Sequence, residues 1–171
     1  MKNLKVKITL MMCLMTIVSF GQITYSYENE MLVTKQETGS RVDKDMIFTL
    51  SSENYDNIKN SELFINWKEK TFSNPANEDY INRNKDWDKV ILYINSKITV
   101  SLFYAKMRLK NGNSLDFIEG SKGMIYLNEK GEVKISYNFK AQNGYGIFIT
   151  SQCIYSIYLE DGEEKTNCYI Y

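Results

Sequence analysis

Residues 123–140 read GMIYLNEKGEVKISYNFK, two apolar-rich runs on either side of a polar stretch that ends in Gly131. In the second run Val133, Ile135, Tyr137 and Phe139 alternate with Lys134, Ser136, Asn138 and Lys140. A period of two is the signature of a half-buried strand. Glycine as the third residue of the loop Glu129-Lys130-Gly131 suits a type I turn closed by a left-handed residue and a bulge. That loop sets Leu127 opposite Val133 and Ile125 opposite Ile135, so the segment predicts an antiparallel hairpin with one apolar face.

Two other turns carry the same pattern of two polar residues and a glycine. Around Lys110-Asn111-Gly112 a three-residue loop pairs Leu109 with Asn113, Met107 with Leu115 and Ala105 with Phe117, which predicts a second hairpin with Lys106 and Arg108 outward. Around Glu160-Asp161-Gly162 a three-residue loop would put Cys153 and Cys168 on opposite faces. A two-residue Asp161-Gly162 loop, or a four-residue one, pairs Leu159 with Glu164 and Tyr155 with Cys168, and gathers Cys153, Tyr155, Ile157, Leu159, Cys168 and Ile170 on one face. Register follows the apolar face, so the second arrangement is expected.

Runs rich in Tyr, Ile, Phe and Thr over 23–35, 45–51, 62–68, 89–95, 97–109, 114–119, 123–128, 132–140, 146–159 and 164–171 read as strands. They predict an all-β protein, an antiparallel meander that forms a small barrel or sandwich. Residues 52–88 are polar, and Asn74-Pro75 followed by Glu78 and Asp79 reads as a cap, a first-turn proline and an acidic first turn. One short helix or loop excursion near 75–85 is expected there.

At the N-terminus, Lys2, Lys5 and Lys7 precede an apolar run from Ile8 to Phe20 that ends in Ser19-Phe20-Gly21. Charge, apolar length and small residues before the cut predict a signal peptide over 1–21 and a single β-rich domain over 22–171. The run is shorter than the about 20 residues of a spanning helix. The expectation is an exported protein, periplasmic or extracellular, with no transmembrane segment after cleavage. An outer-membrane barrel would need outward apolar bands, for which 45–51 and 62–68 are too short and too polar-flanked.

The chain carries 21 basic and 21 acidic side chains, and loss of the leader lysines tips the remainder slightly negative. That balance gives no electrostatic reason to expect nucleic acid. The 171 residues contain no histidine, which excludes Ser-His-Asp and Cys-His catalysis and histidine-built metal sites. Neither a metal nor a cofactor is expected. Acid–base chemistry would fall to Asp, Glu, Lys or Tyr. Glu78, Asp79, Asp86 and Asp88 cluster in the polar excursion, and a carboxylate-based hydrolase of the glycoside hydrolase type is the alternative reading they allow. Asn82, Asn84, Asp86 and Asp88 alternate like calcium-loop ligands, but Trp87 stands where the glycine is required and Tyr93 where the bidentate glutamate is required.

The leading reading is therefore a binding or interaction protein whose ligand is a glycan, a lipid or another protein. Thirteen tyrosines supply rings for stacking, and Tyr169 and Tyr171 alternate with Cys168 and Ile170, which places them on the outer face. Lys106, Arg108 and Lys134 are the candidate cationic contacts. Cys153 and Cys168 are expected as diagonal neighbours on the core face, as a disulfide rather than two buried thiols. Such neighbours stand about 7–8 Å apart at Cα, slightly beyond easy disulfide reach in a regular pair.

Overall fold

The computed structural model describes residues 22–37 and 44–171, and the signal-peptide reading of 1–21 lies outside them. The strands are β1 (Gln22–Glu28), β2 (Met31–Glu37), β3 (Lys44–Thr49), β4 (Asp116–Phe117), β5 (Ser121–Leu127), β6 (Val133–Gln142), β7 (Phe148–Glu160) and β8 (Glu163–Ile170). Between β3 and β4 come four helices: α1 (Ser52–Lys59), α2 (Glu62–Phe72), α3 (Glu78–Arg83) and α4 (Lys89–Arg108). The strands form one open sheet in the order β1-β2-β3-β5-β6-β7-β8, with the two-residue β4 on β6. β3 and β5 run parallel, and every other pairing is antiparallel.

This mixed sheet with four helices is an α/β fold, which corrects the all-β expectation and the barrel or sandwich with it. The segments 62–68, 89–95 and 97–109, read as strands, lie in α2 and α4. Caps decide the matter where composition does not. Ser61 Oγ accepts the Phe64 N–H at 3.3 Å, and Asp88 Oδ1 accepts the Val90 and Ile91 N–H groups at 2.9 and 3.1 Å. Such caps satisfy donors that a helix start otherwise leaves orphaned. α4 misleads because it is apolar almost all round: Ile91, Ile94, Ile98, Leu102 and Ala105 are buried, while Val100, Phe103 and Met107 are exposed. Periodicity alone cannot tell such a buried helix from a strand. The predicted 105–117 hairpin is absent as a result, and Met107, expected in the core, is 66% exposed.

The helical excursion near 75–85 is present as a 3-10 turn over Pro75–Asn77 followed by α3, with Asn74 Oδ1 accepting the Ala76 N–H at 3.0 Å. The predicted β5–β6 hairpin is also present in its expected register, Ile125 opposite Ile135 and Leu127 opposite Val133. Asn128 closes it: its Oδ1 accepts the N–H groups of Lys130 and Glu132, and Gly131 adopts a φ of 75°. The β6–β7 turn repeats this device, with Asn143 Oδ1 accepting from Tyr145 and Ile147 and Gly146 at a φ of 77°. β7 and β8 join through the two-residue Asp161-Gly162 turn, so Leu159 faces Glu164 and Tyr155 faces Cys168.

The core lies between the helices and one face of the sheet. Phe48, Ile125, Val133, Ile135, Tyr137, Phe139, Cys153, Tyr155 and Ile157 are all buried there, whereas Met124, Asn138, Lys140, Gln152, Asn167 and Tyr169 on the other face are exposed. At the parallel seam Gly123 lies opposite Phe48. A Cβ on Gly123 would stand 2.6 Å from Phe48 Cδ1 and 2.8 Å from the Ser136 carbonyl oxygen. We therefore expect Gly123→Ala to destabilise the fold by about 1–3 kcal/mol through overpacking. Gly144→Ala, which meets only Lys110 at 3.6 Å, should leave the denaturation midpoint nearly unchanged. Equal midpoints for the two variants in urea would contradict this account of the seam.

Candidate binding face

Because every second side chain of an antiparallel strand points the same way, the face left open by the helices carries cross-strand rows. One row runs Met31, Thr49, Met124, Ser136, Ile154, Tyr169 across β2, β3, β5, β6, β7 and β8. The next includes Asn138 and Gln152, with Tyr171 joined to Gln152 by two reciprocal backbone bonds of 3.0 Å. Tyr169 and Tyr171 are 50% and 72% exposed, and their rings stack with centroids 6.5 Å apart and planes 28° from parallel. Strand alternation placed both tyrosines correctly. The amides that accompany them could be found only once the register was fixed.

The cationic group does not assemble as one stripe. Lys106 and Arg108 sit on α4, where residues two apart do not share a face, and Lys106 is half-buried, with burial pulling its ammonium pKa down. Lys134 is on the outer sheet face, 3.7 Å from Glu132. The two groups are on different elements because 97–108 is helical.

The acids of the excursion have local structural settings. Glu78 and Asp79 occupy the first turn of α3, where negative charge complements the helix dipole. Asp88 caps α4 through Oδ1 and accepts the Tyr55 hydroxyl through Oδ2 at 2.8 Å, tying α1 to the start of α4. Among the described residues no group of three or more metal-ligating side chains comes together.

Two features escaped the sequence reading. A cleft of about 350 Å³ lies between α3 and α4, walled by Tyr80, Trp87 and Leu92, with the buried Asn95 among its lining. Trp87 in an otherwise polar run was the available signal for it. The other feature is the exposed α4 stripe of Val100, Phe103, Tyr104 and Met107, which only a helical reading reveals.

Cys153 and Cys168 lie on the core face of the β7–β8 hairpin, as free thiols with sulfurs 3.8 Å apart. Burial is also the leading cause that pushes five phenols up in pKa, Tyr27 among them. Tyr55 rises to about 12, helped by its bond to Asp88, Tyr93 and Tyr155 rise further, and Tyr137 is held well above its ordinary value. Comparison with known protein families, with curated proteins and with solved structures finds no match. Among the described residues no helix is long and apolar enough to cross a membrane.

Each of these phenols has a folded pKa above its unfolded value of 10.0, so the neutral form's contribution to stability is whole below pH 10 and is lost as pH climbs. Stability should fall from pH 10 upward, with the Tyr55 share lost by about pH 12 and the loss continuing above it, and a group of tyrosines should ionise only on unfolding. Ultraviolet titration alongside circular dichroism checks this. A smooth ionisation of all thirteen tyrosines near pH 10 with the fold intact would contradict the burial described.

Proposed function

We propose that this is an exported, non-catalytic binding protein that takes a glycan on the open face of its sheet, with Tyr169 and Tyr171 as the stacking platform. The observation that carries the reading is the exposed, mutually stacked ring pair at the edge strand. Sugar rings present flat C–H faces to aromatic rings and hydroxyls to polar neighbours. The exposed amides of Asn138, Gln152 and Asn167 on the same face supply donors and acceptors to those hydroxyls. A rigid sheet holds the platform in place before the ligand arrives, which lowers the ordering cost of binding. Export rests on the basic, apolar and small-residue succession of residues 1–21.

A glycan array probed with the full chain, followed by calorimetry on any hit, tests the reading. Tyr169→Ala and Tyr171→Ala should each weaken binding at least tenfold, which corresponds to about 1.4 kcal/mol. Their melting temperatures should change little, because both rings are exposed. Glycan binding that survives the double alanine variant, or an array with no hit beside a protein partner captured on this face, would replace the proposal.

A further inference from the structure

The two buried thiols of the β7–β8 hairpin, on the other face of the sheet, carry an inference independent of the glycan reading. Cys153 and Cys168 are diagonal across the β7–β8 hairpin, Cys153 opposite Ile170 and Cys168 opposite Tyr155. Their sulfurs are in contact at 3.8 Å, and both side chains are buried. Both lie in the field of the Arg108 guanidinium, which favours thiolate. The two are nevertheless unequal. Cys153 is the more deeply buried, and the hydrogen bond the two sulfurs share, in which either could donate, raises the pKa of Cys153 and lowers that of Cys168. Among the described residues β8 is an edge strand, paired on one side alone, so its opening exposes Cys168 without unfolding the rest of the sheet.

We propose that Cys153 and Cys168 form a redox-closable pair, which a low-molecular-weight disulfide converts into an intramolecular disulfide latching β8 to β7. The Cys168 thiolate attacks one sulfur of the small disulfide, forms a mixed disulfide and releases one thiolate. Cys153 then loses its proton to that released thiolate or to solvent and attacks the Cys168 sulfur, expelling the second small thiolate. Two protein thiols are oxidised to one disulfide, and one small disulfide is reduced to two thiols. The loop so closed is short, and constraint of the unfolded chain adds to stability.

The test uses the full chain carrying Cys13→Ser, which removes the third cysteine of the sequence, incubated with glutathione disulfide, alkylated under denaturing conditions and mapped by mass spectrometry. The expected product has lost two hydrogens, contains a peptide linking Cys153 to Cys168, melts several degrees higher and reverts with dithiothreitol. Cys153→Ser should accumulate a glutathione adduct on Cys168, whereas Cys168→Ser should leave Cys153 largely unmodified. A stable glutathione adduct in the parent chain, or thiols still reduced once β8 amides have exchanged with solvent, would overturn the proposal. An adduct on Cys153 in the Cys168→Ser chain that forms as fast as the one on Cys168 would overturn the assigned order of attack.

Discussion

The parallel contact between β3 and β5 is the constraint on which the architecture turns. Antiparallel neighbours can be joined by a few residues, but parallel ones need a crossover that travels back along the sheet. Here the crossover contains all four helices of the described residues, and it lies over one face. Everything else about the two faces follows. The side covered by the crossover becomes core, and the other stays open. Gly123 makes the seam possible, since Phe48 occupies the space where a side chain at that position would stand. Phe48 in turn packs edge-on against Tyr137, with ring centroids 5.8 Å apart, so the seam is continuous with the centre of the core.

The parts of this fold legible in the sequence are those governed by neighbours in sequence. The β5–β6 turn, the β7–β8 register and the capped excursion at Asn74 each rest on a few adjacent residues whose backbone preferences are strong. The β3–β5 seam joins residues 46–49 to 121–124 and leaves no local mark. α4 was illegible for another reason. Its composition is that of a strand, rich in Ile, Val, Tyr and Phe, and a helix buried on most sides has no clean polar face to betray its period. Only Asp88 at its start signals a helix, and in the sequence it reads equally as one of the clustered acids of the excursion. Assigning 97–109 to a strand then misplaced Lys106, Arg108 and Met107 together, because one wrong period moves every side chain it governs.

A second long-range tie shows how α4 is fixed over the sheet. Lys97 is buried among apolar neighbours, and its ammonium meets Glu164 on β8 at 2.5 Å while standing 5.2 Å from the Tyr93 ring. Desolvating a lysine is costly, and the carboxylate offsets that cost only in one relative placement of helix and strand. Sliding α4 by one turn would keep much of the apolar contact but strand the ammonium. The ion pair therefore contributes more to uniqueness of packing than to net stability. The tie also matters for β8, which among the described residues pairs with another strand on one side only.

Strand alternation joins the two proposals physically while keeping them separable. Cys168 and Tyr169 are consecutive, so the former points into the core and the latter into solvent. A disulfide at Cys168 cannot touch a ligand on the tyrosines, and a ligand there cannot reach the sulfurs. What they share is the backbone of β8, held by ladder bonds to β7, by Lys97 through Glu164 and by the reciprocal bonds between Tyr171 and Gln152. Any effect of oxidation on the outer face must pass through how often that strand opens, because a rigid sheet offers no second conformation to select. The open face and the buried thiols are thus two readouts of one edge strand, with the binding platform set by its exposed residues and its persistence set by what holds the strand from beneath.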